Sequence, residues 1–366
     1  MNDHQLIWAR CQNVHDMRAV AALDAQLRED GDPFTVMPTL IDGPTGVVGP
    51  PVGRRQIQTF LGLYEPALVL WVGGPIETTT LLTCDQTGIA SIVLNSSAAM
   101  FNSLPHTWLP KRRRELFANL TGVLALDDAA AQTAIRAGVA PHRVQITGPL
   151  AETASILPYD EDDRSDFAAT LGTRPVWLAA ALSPESTLDV IRAHGEASRR
   201  AHRLLLIISP QSTDDIPLIH KLCVAHGFRT ALRSETLEPS DDTQVYISDT
   251  PDELGLWHRI SPISFMSGSF RGGVTADPFA AAALGSVVVH GPIDGPWRDQ
   301  LQILQDAKAT EYVAAPDALG KAIAGLLSPE RTAKLVHAGW DVTTRGAMVL
   351  ESLVTLVRET LEQKAT

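Results

Sequence analysis

The sequence contains little that would support a disulfide framework, a membrane span or a nucleic-acid surface. Its 366 residues include three cysteines, whose odd number and wide spacing argue against disulfides and against a cysteine-rich metal site. No apolar run approaches the ~20 residues that cross a bilayer, and the first residues lack the layout of a signal peptide. A formal net charge of −12 provides no general positive field for phosphates, so we expect no nucleic acid as a partner. These absences predict a cytoplasmic protein.

Short aliphatic runs alternate with helix-length amphipathic segments along the whole chain. In the first half the strand candidates are LIWARC, PFTVMPT, ALVLWVGG, ASIVLNSS, GVLALDD and HRVQITGPL. In the second half they are PVWLAAALS, HRLLLIISP, TQVYISDT, PISFMSGS, SVVVHGP and TEYVAAP. This alternation predicts an α/β fold with largely parallel sheets covered by helices on both faces.

An acidic, proline-containing stretch from about residue 149 to 166 separates the two series and predicts a linker. We expect a Rossmann-like acceptor domain at 1–153, a Rossmann-like nucleotide-sugar donor domain at 154–344 and an amphipathic helix at 345–366. Two doubly wound domains that face a central cleft form the GT-B glycosyltransferase architecture. A periplasmic-binding or epimerase-like two-domain fold would give the same pattern, so function needs further evidence.

A dozen short motifs occur in an order that resembles the 3-deoxy-D-manno-octulosonic acid (Kdo) transferases, from about residue 6 to residue 358. The motifs are IWARCQNVHDMRAV, MPT, GRRQIQTFLGLYEPALVLWVGG, GIASIVLNSS, GVLALDDAAAQTAIRAGVAPHRVQITGPL, RPVWLAAALSPES, RLLLIISP, RSE, SDTPDELGLW, SGSFRGG, ADPFAAAALGSVVVHGP and WRD. The resemblance implies transfer of Kdo from CMP-Kdo to a lipid A precursor or a related lipid-linked acceptor, without a cofactor. The amino-terminal membrane anchor that these enzymes often carry has no counterpart, so we expect peripheral contact with the cytoplasmic face of the inner membrane.

The resemblance places the catalytic base at the turn after the first strand. There the family has a glutamate that acts on the acceptor hydroxyl, and this sequence has Asp16. Aspartate performs the same proton chemistry with a side chain one methylene shorter. A carboxylate that merely stabilises the start of a helix is the alternative. His15 replaces a family glycine and is either a substitute base or a partly exposed turn histidine.

The donor side departs from the family at several contacts. Gln211 stands where the family has an arginine that contacts the CMP phosphate, so the charge-assisted part of that contact is lost. Ala276, Asp277 and Ala280 replace a histidine, an asparagine and a glutamate. We expect Asp277 to cap a helix that starts at Pro278, which puts a negative charge where a phosphate would bind.

Other donor-side residues keep the family pattern. The small turn retains Ser267, Gly268 and Ser269, which either let a ligand approach the backbone or form a plain strand-to-loop turn. Arg271 in the same turn offers a positive charge that could replace the lost arginine. A further set of donor-binding candidates, for which a helix capping box is the alternative, comprises Asp249, Thr250 and Glu253.

Two features are candidates for contact with the acceptor or the membrane. Asn95 matches a family position at the end of a strand, where a turn role is the alternative. The basic run Lys111, Arg112, Arg113 and Arg114 has apolar neighbours on both sides, which favours contact with anionic lipid or a solvated helix face. The eleven histidines show no spacing typical of metal ligands, so we expect no metal.

Three functions stay open at this point. The first is an active Kdo transferase. The second is a glycosyltransferase that has changed its donor. The third is a non-catalytic relative that binds a partner or a lipid-linked sugar.

Overall fold

The computed structural model describes residues 5–41, 49–102, 110–150, 154 and 157–365. For residues 15, 102, 110–113 and 363–365 it describes the backbone alone. The chain divides into two compact units. Unit 1 comprises residues 1–153 and 345–366, and unit 2 comprises residues 154–344.

Unit 1 is built on one sheet of six parallel strands. Its strands are β1 (Gln5–Cys11), β2 (Phe34–Leu40), β3 (Leu68–Val72), β4 (Ala90–Ser96), β5 (Gly122–Ala125) and β6 (Val144–Ile146). Its helices are α1 (Val14–Glu29), α2 (Arg54–Tyr64), α3 (Thr78–Gln86), α4 (Ala98–Asn102), α5 (Pro110–Ala118) and α6 (Asp128–Ala137). The strand order β2-β1-β3-β4-β5-β6 reverses direction between β1 and β3, the place where doubly wound sheets bind ligands.

Unit 2 is built on one sheet of seven parallel strands in the order β13-β12-β11-β7-β8-β10-β9. Its strands are β7 (Val176–Leu182), β8 (Leu205–Pro210), β9 (Thr230–Leu232), β10 (Val245–Ile247), β11 (Ile263–Met266), β12 (Val287–His290) and β13 (Thr310–Tyr312). Its helices are α7 (Glu161–Leu171), α8 (Pro184–Ser198), α9 (Ile216–Ala225), α10 (Leu254–Ile260), α11 (Pro278–Ala283), α12 (Arg298–Asp306) and α13 (Leu319–Leu326), and the long helix α14 (Pro329–Ala365) follows them.

Apolar residues on both faces of each sheet explain why these strands are continuous hydrophobic runs. All five residues of β3 are buried: Leu68 and Leu70 join a core on one face, and Val69 and Trp71 join a core on the other. A central parallel strand covered by helices on both faces has no solvent-facing side, so it needs no polar alternation. The predicted fold class, two parallel α/β domains, is confirmed.

Two local expectations are wrong. The predicted linker ends early, because 161–171 is helix α7, whose cap Asp160 accepts hydrogen bonds from the backbone of Asp162 (2.8 Å) and Asp163 (3.1 Å). Acidic residues in a first turn are favoured by the helix dipole, so the charge run marked a helix start. The edge strand β9 was not predicted, because its three residues are too short a run to stand out.

Candidate functional site

Asp16 lies in the first turn of α1, directly after β1, and is 4% exposed. Its backbone N–H donates to the Asn13 side chain over 3.0 Å, so Asn13 caps the helix. The Nδ2 atom of Asn95 lies 3.4 Å from the Asp16 carboxylate. The fold thus brings together two predicted site residues that are 79 positions apart, at the carboxyl ends of β1 and β4.

The wall beside this carboxylate is a glycine pair that follows β3. Gly73 has φ +70°, and a Cβ added there would lie 2.5 Å from Asp16 Oδ2. A Cβ on Gly74 would overlap the side-chain oxygen of Gln12. Glycine is therefore needed at position 73 both for its backbone conformation and for the approach to the carboxylate.

We expect Gly73→Ala to displace the Asp16 carboxylate as well as strain the backbone. Gly88→Ala is the matched control, because Gly88 has the same φ of +70° but no atom within 4 Å of an added Cβ. Both variants should lose about 1–3 kcal/mol of unfolding free energy from strain, measured in urea. Gly73→Ala alone should lose further stability and turnover, and equal behaviour of the two variants would contradict this packing.

Asn95 fixes the neighbouring backbone. It has φ +50° in a stretch where the β4–β5 register shifts. Its Oδ1 accepts from the backbone N–H of Leu150 over 2.6 Å, and its side chain is buried. The side chain therefore holds the segment after β6 beside Asp16, and its predicted contact with an acceptor stays a proposal.

Burial and charge both act on Cys11, the last residue of β1. Burial raises the pKa of the Cys11 thiol to about 12, and the nearby charge of Asp16 adds to this effect. Cys11 is therefore a neutral thiol at physiological pH and offers no nucleophile next to the site.

Sequence reasoning missed one charged residue of this region, Arg10. It is 4% exposed on β1, with its guanidinium 4.6 Å from the ring centroid of Trp71 and 5.4 Å from that of Trp8. Its Nη2 contacts Glu77 Oε2 at 3.1 Å. The available signal was a single arginine within the otherwise apolar run LIWARC, which is unusual for a buried strand.

The other unit 1 candidates are only partly described. His15 lies in α1 and Lys111, Arg112 and Arg113 lie in α5, but their side chains fall outside the described residues. Arg114 is exposed. The apolar neighbours that follow the basic run, Leu116 and Phe117, are buried in the core and offer no surface to a lipid.

Unit 2 has a cavity of about 460 Å³ at the carboxyl ends of β7, β8 and β10. Three predicted donor-binding residues line it: Gln211, Thr250 and Glu253. Ala276, which replaces the family histidine, lines it too. Two lining residues that are not glycine have a left-handed backbone: Ala181 with φ +50° and Asp252 with φ +60°. Such strained positions concentrate at ligand sites, which favours this cavity as the binding site of unit 2.

Glu253 is held by a hydrogen-bond network. Its Oε1 accepts from Arg233 Nε over 3.0 Å, and its Oε2 accepts from Ser248 over 3.0 Å and from Thr250. Helix α10 starts only after Glu253, and Asp249 accepts from the backbone and side chain of Ser234. The capping-box alternative is therefore wrong, because no side chain of this group caps α10.

The small turn after β11 has the tight geometry expected of it. Gly268 has φ +85°, and a Cβ there would overlap the carbonyl oxygen of Gly273. The buried hydroxyls of Ser267 and Ser269 have no hydrogen-bond partner within the described ranges. These residues do not line the cavity of about 460 Å³, so the structure separates the predicted donor residues into two groups.

Arg271 forms an ion pair with Asp189. Its Nε and Nη2 lie 3.2 Å and 3.0 Å from Oδ2 of Asp189, a 5% exposed residue of α8, while the Arg271 side chain is 55% exposed. A buried carboxylate needs a nearby cation, so Asp189 competes for the charge that a donor would use.

We expect Arg271→Gln to weaken CMP binding about tenfold, if Arg271 contacts the donor, because a charge-assisted hydrogen bond is lost. Arg192→Gln is the matched control: it removes a 74% exposed arginine 3.9 Å from the same Asp189 but outside the turn. Calorimetric titration with CMP measures both variants. Equal weakening by the two would indicate long-range electrostatics and remove Arg271 from the site.

Asp277 caps α11 as expected. Its Oδ1 accepts from the backbone N–H of Phe279 over 2.8 Å, and Asp277 is 9% exposed. Ala280, in the family's glutamate position, is buried in the same helix. The capping carboxylate thus takes a backbone donor that an incoming anion would need.

Among the described residues, no group of three or more His, Cys, Asp or Glu side chains could hold a metal ion. Within the same residues, no helix combines the length and apolarity needed to span a bilayer. A larger cavity of about 740 Å³ lies at the amino ends of β4, β5 and β6. Parallel α/β sheets bind ligands at their carboxyl ends, so we assign no reaction to this larger cavity.

Two curated relatives cover most of the chain. The 3-deoxy-D-manno-octulosonic acid transferase of Haemophilus influenzae is 20% identical over 318 residues, covering 84% of this chain and 73% of that protein. The transferase of the same name from Bordetella pertussis is 24% identical over 368 residues, covering 93% of this chain and 84% of that protein. No known family profile matches the chain.

The similarity of this chain to solved structures is weak. The CMP-Kdo binding domain of WaaA from Acinetobacter baumannii is 22% identical with a TM-score of 0.47, and covers 50% of this chain and 96% of that domain. MurG from the same organism is 10% identical with a TM-score of 0.48, covering 97% of this chain and 99% of that protein. Both scores are below 0.5, so the likeness to Kdo transferases rests on the sequence relatives.

Two Rossmann-like units in one chain with these relatives define a glycosyltransferase. Over most of its length the chain is similar to the 3-deoxy-D-manno-octulosonic acid transferases, from which it departs at several donor-side residues.

Proposed function

We propose that the protein transfers Kdo from CMP-Kdo to a lipid A precursor or a related lipid-linked acceptor, with Asp16 as the general base. The observation that carries the proposal is the buried Asp16 carboxylate at the strand-order reversal of unit 1, in a chain whose relatives over most of its length are Kdo transferases. A base at that edge is where a doubly wound sheet presents its reacting groups.

The proposed reaction needs one proton acceptor. The acceptor hydroxyl attacks the anomeric carbon of Kdo, its proton passes to Asp16, and the bond from that carbon to the CMP phosphate oxygen breaks. Gln211 and Thr250 at the cavity of unit 2 would contact the nucleotide, and Asp249 and Glu253 would hold the cavity wall. Ser267, Gly268, Ser269 and Arg271 would accept the departing phosphate at the turn after β11.

A second candidate, a glycosyltransferase with another nucleotide-sugar donor, is favoured by the replaced donor contacts Gln211 and Ala276, both of which line the cavity. Its lining includes the acidic Asp252 and Glu253 but no lysine or arginine among the described residues. Arg271 is paired with Asp189, and Asp277 puts a carboxylate at the start of α11. These features weaken anion binding compared with a site that presents a free arginine.

We also propose that the protein lies peripherally on the cytoplasmic face of the inner membrane. The four basic residues of α5 supply charge for anionic headgroups, each worth about 1 kcal/mol near such a surface. Because Leu116 and Phe117 are buried, this contact would depend on charge and weaken with added salt.

Thermal shift with CMP, CMP-Kdo, UDP and GDP tests the donor. We expect stabilisation by CMP and CMP-Kdo, since a ligand that binds only the folded state raises its melting temperature. Release of CMP in the presence of a lipid A precursor then tests transfer. Stabilisation by UDP or GDP alone would support the second candidate, and no shift with any nucleotide would contradict both.

A further inference from the structure

The loop between β3 and α3, residues 73–77, touches the Asp16 site at one end and Arg10 at the other. At its start, Gly73 lies against the Asp16 carboxylate and Gly74 against Gln12. At its end, Glu77 forms the ion pair with Arg10. The position of the carboxylate wall therefore depends on what holds this loop.

Arg10 is a rigid point of attachment. Its guanidinium lies beside the rings of Trp8 and Trp71. Arg10 of β1 is also directly opposite Trp71 of the neighbouring strand β3. Glu77 is fixed from a second side, because the Thr80 hydroxyl donates to its Oε2 over 2.7 Å. An arginine stacked on aromatic faces loses little freedom when it pairs, so the loop end is well defined.

Burying the Arg10 guanidinium lowers the stability of the folded protein. The Nε and Nη1 atoms of Arg10 are buried and have no hydrogen-bond partner within the described residues. Each unsatisfied buried donor costs about 1–3 kcal/mol, and apolar pairs of similar volume often replace buried ion pairs without loss. A costly group that persists beside a reaction site favours a functional role over a purely structural one.

We infer that Arg10 is a positioning residue: through Glu77 it holds the 73–77 loop so that Gly73 keeps the Asp16 carboxylate in place to accept the proton. This inference rests on the proposed role of Asp16. Arg10 itself lies on the opposite side of β1 from Cys11 and contacts no proposed substrate atom, because its partners are Glu77 and the two tryptophans.

The test replaces the ion pair by an apolar pair, Arg10→Met with Glu77→Met, which avoids leaving one charge buried alone. We expect kcat to fall about 10- to 100-fold, the range for a group displaced by about 1 Å, while CMP affinity in unit 2 stays unchanged. The pKa that limits kcat on the acid side should also move. A merely less stable protein would scale the whole pH profile without moving that pKa.

Arg358→Met is the matched control. It removes another ion pair of unit 1, with Asp30 and Asp32 at the amino ends of the strands, and should leave the kcat profile unchanged. An unchanged kcat and profile in the double variant, with Asp16→Asn inactive, would overturn the inference and leave the proposed function standing.

A readout without turnover separates the two proposals. The ¹³C signal of the Asp16 carboxyl, assigned by its loss in Asp16→Asn, should titrate at a different pH in the double variant than in the native protein. An unmoved titration overturns the positioning role even if no transfer is detected. If Asp16→Asn retains full turnover, the general base is elsewhere and the proposed mechanism fails instead.

Discussion

Asp16→Asn should lower kcat by about 10²- to 10⁴-fold, the usual contribution of a positioned general base. Asparagine keeps the size and planar shape of the side chain but cannot take up the acceptor's proton at neutral pH. CMP affinity should be unchanged, because the cavity proposed to bind the nucleotide belongs to unit 2. Single-turnover transfer assays, together with CMP titration, measure the two effects separately.

Asp128→Asn is the matched control for this prediction. Asp128 is also an acidic residue in the first turn of a unit 1 helix, but it is exposed and follows β5. If Asp16 served only to stabilise the start of a helix, both variants would lose similar stability and similar activity. Retained turnover in Asp16→Asn would remove Asp16 from the base role.

Mild acid should destabilise unit 2 by roughly 4 kcal/mol between about pH 7 and pH 5. His194 and His258 are 0% and 1% exposed, and burial lowers the pKa of each to about 3. Trp177 donates its indole N–H to His194 Nδ1 over 3.2 Å, which requires the neutral imidazole. The unfolded chain binds protons below about pH 6.5 whereas the folded unit does not, so stability falls as the pH falls.

Urea unfolding at several pH values, followed by hydrogen exchange in segments 174–182 and 254–267, measures this loss in unit 2. His258→Gln should remove about 2 kcal/mol of this loss, whatever its effect on stability at neutral pH. His202→Gln changes an exposed histidine of the same unit and should leave the dependence intact. A stability that does not vary between pH 7 and pH 5 would mean that the folded unit accommodates both imidazolium ions.

The fold could be predicted because the long strands have a recognisable sequence pattern. Runs such as ALVLWVGG and HRLLLIISP are apolar throughout, and the two sheets bury both of their faces. The errors fell where a local pattern has two physical meanings. Acidic residues at 160–163 could solvate a linker or start a helix, and Asp249 with Glu253 could cap a helix or bind neighbouring side chains.

The sequence predicted which residues belong to the candidate site, but not which distant residues they contact. The convergence of Asp16 and Asn95 follows from parallel strands whose carboxyl ends meet at one edge. The pairing of Arg271 with Asp189 does not follow from either residue's surroundings in sequence, because α8 supplies the carboxylate from 82 residues away. Arg10 was missed for the same reason: its importance depends on Glu77, 67 residues away.

Helix α14 belongs to unit 2 at its start and to unit 1 from residue 345 onward. Leu353, Val357 and Leu361 from its second part join the core that contains Ile7 and Leu70. During synthesis, the six strands of unit 1 emerge before unit 2 but lack these side chains until α14 has been made. Unit 2 is continuous in sequence and can complete its core earlier. The core of unit 1 can therefore be completed only after all of unit 2 has been synthesised.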